Sequence, residues 1–354
     1  NRFIRPFDLT CAPLLRVGLI KINPQTHFLI VDMHHIISDG ISVELLEQDF
    51  AAFYSGAQIP GLTLQYKDYA VWQNQNKESE NYRKQALFWQ EEFKDHIPVL
   101  ELPADFERPS VQRFEGNHIH FSVGSEKNVA LKALAAARGA TLYMTLLSIF
   151  TVFLSRISGQ DDIVVGTPTA GRPHTGLEKI IGMFVNTLAL RNYPRGDDRF
   201  DEFLRNVKTN VSRAFENQNY PFEYLLDILP LERDTGRNPL FDTMFVMQKK
   251  KDRNMVIPGL TITPRHGESG TSKFDLMLLA EEQENAVHFT FEYSTKLFKK
   301  ATIQRFTRYF TTLLDHIFAR PDEKIASLEL ITPQEKQQIL LDFNRTAASY
   351  PEEK

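Results

Sequence analysis

The chain reads as an α/β protein, and three features of its sequence carry that reading. Short runs of branched and apolar side chains at residues 28–33, 163–167 and 276–280 have the length of strands. Longer segments at residues 142–157 and 303–319 repeat their apolar residues with a helical period. In the second, Phe306, Tyr309, Phe310, Leu313, Leu314 and Ile317 fall on one face. The 354 residues, 42% hydrophobic and 24% charged, are enough to bury two cores.

In order along the chain, residues 13–20 read as a strand that pairs with residues 28–33, itself read as a buried strand, across the turn-prone Asn23-Pro24. Ser38-Asp39-Gly40 breaks the pattern: Gly40 suits a tight turn, and Ser42 caps a helix over residues 43–54. Tyr66-Lys67-Asp68-Tyr69-Ala70-Val71-Trp72-Gln73 supplies aromatic residues that pin a helix to a core. Residues 82–96 have helical spacing through Ala86, Leu87, Trp89, Glu92 and Phe93. A boundary follows, since residues 97–110 carry three prolines among polar residues and read as an extended crossover. Beyond it come a strand at 118–123, a helix at 126–138, the apolar helix at 142–157, and a strand at 163–168. That strand ends in a Gly/Pro-rich loop through Arg172-Pro173. An amphipathic helix at 203–217, strands at 241–247, 274–281 and 286–293, the helix at 303–319 and a short helix from Pro333 complete the pattern.

Composition excludes several function classes. A formal net charge of −4 leaves no electrostatic footprint for nucleic acid or for an anionic membrane. No apolar run has transmembrane length, and the N-terminus lacks a signal-peptide layout. The single cysteine, Cys11, has no partner for an internal disulfide, which fits a reducing, cytoplasmic setting. The chain starts at Asn1 without methionine and ends in Tyr350-Pro351-Glu352-Glu353-Lys354, so it reads as a piece of something longer.

The chemistry-bearing residues are His34 and His35, placed at the end of a strand just before a turn and a helix N-terminus. Adjacent strand residues point to opposite faces, which argues against both rings ligating one metal ion. One reading leaves both as satisfied core or surface histidines. The other divides the labour, with one ring packed inside and the other facing a cleft as a base for an attacking amine or hydroxyl. Asp39, four positions beyond His35, either orients a ring or is tied up by an arginine that holds the turn.

Met33-His34-His35-Ile36-Ile37-Ser38-Asp39-Gly40 resembles the HHxxxDG signature of condensation domains of nonribosomal peptide synthetases. Four further segments resemble that family's motifs in its order. They are the Tyr66 to Trp72 stretch; Ile181-Gly182-Met183-Phe184-Val185-Asn186-Thr187-Leu188-Ala189-Leu190-Arg191; Asn217-Gln218-Asn219-Tyr220-Pro221-Phe222-Glu223; and Arg233-Asp234-Thr235-Gly236-Arg237-Asn238-Pro239-Leu240-Phe241, with Gly236 where serine is usual. Together they cover nearly all of the chain.

The resemblance implies two subdomains like chloramphenicol acetyltransferase, forming a V with a tunnel between them. Residues 1–100 would be the remainder of the first subdomain, 101–340 the second, and 341–354 the start of a linker to an adenylation domain. Two motifs expected before position 1 are absent, so the first subdomain would expose core surface and the piece alone would be inactive. The implied reaction is amide formation between an upstream carrier-bound peptidyl or aminoacyl thioester and the amine of a downstream carrier-bound aminoacyl thioester. Both ride on phosphopantetheine arms, and no cofactor is bound directly. His35 is implied as the base or as the group that aligns the amine, with the Gly40 N–H assisting the oxyanion. His34 and Asp39 are implied as structural, Asp39 through a salt bridge to Arg237, while Ser38, Asn186 and Gln218 line the tunnel. An epimerisation domain or a carrier-independent acyltransferase of the same fold is the alternative.

Overall fold

The computed structural model describes residues 3–231, 234–249, 257, 259–263, 270–283 and 286–346. Arg233 of the fifth motif and residues 347–354 of the expected linker lie outside them.

Two sheets organise the chain. β1 (Leu15–Asn23) and β2 (Thr26–Met33) form an antiparallel hairpin across the Asn23-Pro24 turn, in a register that sets Leu15 opposite Met33. Arg16 and Asp32 face each other across it and form an ion pair at 2.8 Å. The hairpin is a sheet of its own, and Val17, Leu19, Phe28 and Val31 are each 44–68% exposed. The expectation of a buried strand at 28–33 is thereby corrected. Branched and aromatic side chains form the strand, but burial requires a second layer over them.

The larger sheet runs β3-β8-β7-β6-β4-β5, with β3 Gly116–Val123, β4 Ile163–Thr169, β5 Asn186–Asn192, β6 Thr243–Lys249, β7 Leu276–Glu282 and β8 Val287–Ser294. β4, β6 and β7 are parallel and central, while the flanking pairs are antiparallel. Burial follows position. β4 is apolar almost throughout and buried along nearly its whole length, whereas β8 alternates.

The helices come in the order the periodicity implies. α1 (Gly40–Tyr54), α2 (Tyr66–Asn76) and α3 (Glu80–Glu92) follow the hairpin. α4 (Ser125–Ala137), α5 (Leu142–Ser158), α6 (Phe200–Glu216), α7 (Phe222–Ile228), α8 (Lys300–Ala319) and α9 (Pro333–Gln337) are distributed among and after the strands. α5, capped by Thr141 and stopped by Gly159 in the left-handed region, is buried without a break from Thr145 to Ser155. α6 and α8 begin three residues before their apolar stripes suggest, because their first turns carry polar residues such as Asp201, Glu202 and Lys300.

One large core joins α5, α6 and α8 to the sheet, and Trp89 and Phe93 at the end of α3 pack into it. Among the described residues no single helix is long and apolar enough to cross a membrane.

Candidate active site

β2 ends at Met33, and the backbone closes one 3-10 turn over His35–Ile37 before α1 begins. The two histidines therefore do not alternate as strand residues; the turn separates them instead. His34 is extended and caps that turn, its Nδ1 accepting the Ile36 N–H at 3.0 Å. Its half-buried ring stands edge-on to Phe7, which the Arg16 guanidinium covers at 3.6 Å from the ring centroid. His35 is exposed, with Nδ1 2.6 Å from the Ser38 carbonyl oxygen. A carbonyl can only accept, so Nδ1 carries the proton and Nε2 of the neutral ring keeps its lone pair.

Gly40 is the first residue of α1 and is not among the positive-φ glycines, so the expected tight turn does not call on a glycine-only conformation here. A Cβ there would meet nothing within 4 Å, so the glycine leaves open space beside the turn. Asp39, not Ser42, is the helix cap: its Oδ1 accepts the Ser42 N–H at 2.7 Å.

The Asp39 side chain is 0% exposed and pairs with Arg172, whose side chain is 4% exposed. Arg172 Nη2 lies 3.0 Å from both carboxylate oxygens, and the Phe184 N–H donates to Oδ2 at 3.2 Å. Arg172 Nη1 donates to the carbonyls of Leu177 and Ile180, each at 2.7 Å, and the guanidinium lies over the Phe184 ring at 4.0 Å. A buried pair is tolerated only when such additional hydrogen bonds offset its desolvation.

Arg237 is not the partner of Asp39. It binds Asp242 at 2.7 Å, Glu101 at 2.6 Å and the Leu100 carbonyl at 3.2 Å, and so ties the proline-rich crossover to the turn before β6. Both arginines sit in loops after a structural break, and only the folded chain distinguishes them.

The loop between β4 and β5 thus clamps the histidine turn from a distance of more than 130 residues in sequence. Leu177, Ile180 and Phe184 form a small apolar cluster with Tyr66 and Tyr69 of α2, and Tyr66 Oη donates to the Met183 carbonyl at 2.8 Å. Two glycines permit this approach. A Cβ on Gly182 would lie 2.2 Å from the Tyr66 ring, while Gly171 has φ +61° and would press its Cβ onto the Phe184 carbonyl. Burial raises the Tyr66 and Tyr69 hydroxyls above their ordinary range, with the Asp39 charge adding to the effect on Tyr66.

Of the expected tunnel residues, Ser38 is buried and supplies the carbonyl that holds His35. Asn186 spends its side chain on backbone: Nδ2 donates to the Gln218 and Tyr220 carbonyls, and Oδ1 accepts from the Thr187 and Phe222 N–H groups. Gln218 is half-buried, and its carbonyl is one of those two acceptors. Arg191, which ends the third motif, is an anchor as well, bidentate to Asp162 and bound to the Glu92 and His96 carbonyls.

Sequence reasoning missed Arg172, Gly182 and Phe184 as parts of this site. The available signals were Gly171-Arg172-Pro173 shortly after a buried strand and the Ile181 to Arg191 motif, which contains Gly182 and Phe184.

A six-stranded mixed sheet with helices packed on it, and a histidine turn braced by the loop between β4 and β5, define an α/β domain with one candidate base. The chain belongs to the Condensation domain family, whose model matches residues 1–340. It is 46% identical over 354 residues to surfactin synthase subunit 1 of Bacillus subtilis (strain 168), covering 100% of this chain and 10% of the relative. Gramicidin S synthase 2 of Brevibacillus brevis is 45% identical over 354 residues, covering 99% of this chain and 8% of that protein. Tyrocidine synthase 3 of Brevibacillus parabrevis is 45% identical over 354 residues, covering 100% of this chain and 6% of that protein. The chain thus spans about a tenth or less of the length of these relatives. Among solved structures, a four-domain nonribosomal peptide synthetase bound to AMP and glycine matches with a TM-score of 0.86 at 23% identity, over 94% of this chain and 26% of that one. The X-domain from teicoplanin biosynthesis matches with a TM-score of 0.84 at 23% identity, over 93% and 77%. At that identity the two structural likenesses concern the fold alone.

Proposed function

We propose that this chain forms an amide bond between two thioester-bound substrates. An upstream carrier presents a peptidyl or aminoacyl thioester, and a downstream carrier presents an aminoacyl thioester whose amine attacks. Each is held on a phosphopantetheine arm. The observation that supports this most is the exposed His35 ring with Nδ1 bound to the Ser38 carbonyl, which leaves Nε2 as the nitrogen able to accept a proton. The amine nitrogen attacks the thioester carbon and gives its proton to Nε2; the carbon–sulfur bond then breaks and the leaving thiolate takes that proton. The Gly40 N–H, among the first-turn donors of α1 that have no intrahelical acceptor, stabilises the oxyanion.

In this reading His34, Asp39 and Arg172 hold the turn. Ser38 and Gln218 line the substrate path, and Asn186 supports it through the 218–222 segment. Residues 1–100 and 101–340 act as two units, with α3 reaching from the first into the core of the second. Residues 341–354 lead to an adenylation domain of the same cytoplasmic polypeptide.

The test is peptide formation by the complete synthetase carrying this chain, with both carriers loaded. His35→Ala lowers the single-turnover rate by at least about 100-fold, the scale of a lost base or aligning group. Dipeptide formed at a near-normal rate by that variant overturns the reading. Turnover of free aminoacyl thioesters without either carrier would favour a carrier-independent acyltransferase.

A further inference from the structure

We infer that Ser42 is a positioning residue for His35, and that its hydroxyl fixes which imidazole nitrogen carries the proton. The inference rests on the proposed role of His35 as the base.

Ser42 is fully buried and stands at the meeting point of the two parts of the site. Its Oγ lies 2.7 Å from Asp39 Oδ1 and 2.9 Å from the Gly182 carbonyl, and it accepts the Gly182 N–H at 3.0 Å and Arg172 Nη2 at 3.3 Å. One hydroxyl proton is thus shared between a carboxylate and a carbonyl, while both lone pairs are filled. The hydroxyl does more than cap a helix, since the Ser42 N–H already does that with Asp39. Among the described residues it is the one side chain that hydrogen-bonds Asp39, Arg172 and the backbone of Gly182 together, binding α1 to a loop 140 residues away.

The consequence for His35 runs through two consecutive residues, Asp39 and Ser38. Asp39 is held by Ser42 and Arg172; its neighbour Ser38 contributes the carbonyl that accepts from His35 Nδ1 at 2.6 Å. The held Asp39 side chain restrains the 38–39 peptide, and rotation of that peptide moves the carbonyl away from Nδ1. Without it the exposed ring has, among the described residues, no partner that prefers the Nδ1–H tautomer, and a fraction of molecules puts the proton on Nε2, where it blocks acceptance from the amine. Loss of the Ser42 hydroxyl would leave the Gly182 N–H and carbonyl unpaired in a buried place and loosen the peptide that aims the ring.

Two measurements test this. In a complete condensation domain carrying this chain, with ¹⁵N-labelled histidine, the His35 ring signals, assigned by their loss in His35→Gln, report a single Nδ1–H tautomer. Ser42→Ala gives a mixture of tautomers, and Ser42→Thr, which retains the hydroxyl, returns towards one. In the complete synthetase with loaded carriers, Ser42→Ala lowers kcat about tenfold or more while KM for the loaded carriers stays within twofold. Ser42→Thr recovers most of kcat. A single Nδ1–H tautomer in Ser42→Ala, or a loss carried by KM with kcat retained, overturns the inference and leaves Ser42 as packing only. Should Ser42→Ala not fold, Ser42→Cys takes its place, and an unmixed tautomer in that variant is equally fatal. The ring spectra need no turnover, so they judge Ser42 even if peptide formation by the parent enzyme is not observed; absent turnover would strike the proposed function instead.

Discussion

Asp39 and Asp242 are both buried aspartates paired with an arginine, yet their surroundings differ in one decisive way. Among the described residues Asp39 is met by donors: Arg172, the Ser42 N–H and hydroxyl, and the Phe184 N–H. Asp242 also accepts well, from Arg237 and the Asn238 N–H, but a second carboxylate, Asp275, shares its pocket and is itself bound by Arg108. Burial, and after it the Asp275 charge, push the Asp242 carboxyl up to about 6. A buried carboxylate with its own arginine is thus secure at one site and strained at the other. What Asp242 has in addition to burial is a like charge in the same low-dielectric volume.

The largest expected effect comes from breaking the secure pair. Arg172→Ala removes the only cation paired with buried Asp39 among the described residues, and should cost about 3–5 kcal/mol of stability; urea denaturation at pH 7 measures it. Peptide formation should fall with it, because the histidine turn loses its brace. A loss under about 1 kcal/mol, the scale of an exposed pair, would mean that the pair is not buried as described.

Arg237→Ala should cost less, about 1–3 kcal/mol at pH 7, and less again at pH 5, where Asp242 can bind a proton in place of the lost arginine. Denaturation of the variant at the two pH values decides it, and an equal loss at both would contradict the proposed relief by protonation.

A finer test isolates Asp242 in the parent chain. Its folded-state pKa lies above its ordinary 3.8, so the native state binds the proton more tightly than the unfolded chain. This group's contribution to stability is therefore fullest below about pH 4 and is lost as pH rises through about 6. Relative to Asp242→Asn, the parent should lose stability across that window and then level off. Denaturation of both proteins at pH 4, 5, 6 and 7 gives the difference directly, and a flat difference would refute the strain.

The smallest effect is expected where neither partner is buried. Lys84 and Glu80 pair at 2.7 Å on an exposed face of α3, and Lys84→Ala should change stability by no more than about 0.5 kcal/mol. A measurable melting shift of several degrees would show that exposed pairs in this chain are worth more than surface geometry suggests.

Much of the fold was legible because it is local. α5 declares itself through an apolar run bracketed by Thr141 and Gly159, and the hairpin through two strand-like runs flanking Asn23-Pro24. Burial was not legible in the same way. Residues 28–33 and 163–167 are similar apolar runs, yet Phe28 and Val31 are 45% and 44% exposed while Ile163 and Val165 are fully buried. The run states only that a strand forms; whether helices cover it depends on elements elsewhere in the chain.

The site divides along the same line. The histidine pair, Asp39 and Gly40 were readable because they lie within seven residues. Their roles were not, since His34 and His35 are separated by a turn rather than by strand alternation. Sequence alone determined the α/β class, the order of its elements and the segment that carries the proposed base, because propensity, period and short motifs act over a few residues. Only the tertiary structure decided that Arg172 rather than Arg237 holds Asp39, that Ser42 clips Gly182, and that His35 presents Nε2. The first two contacts join segments more than 130 residues apart, and the third depends on a carbonyl whose direction the packed turn sets.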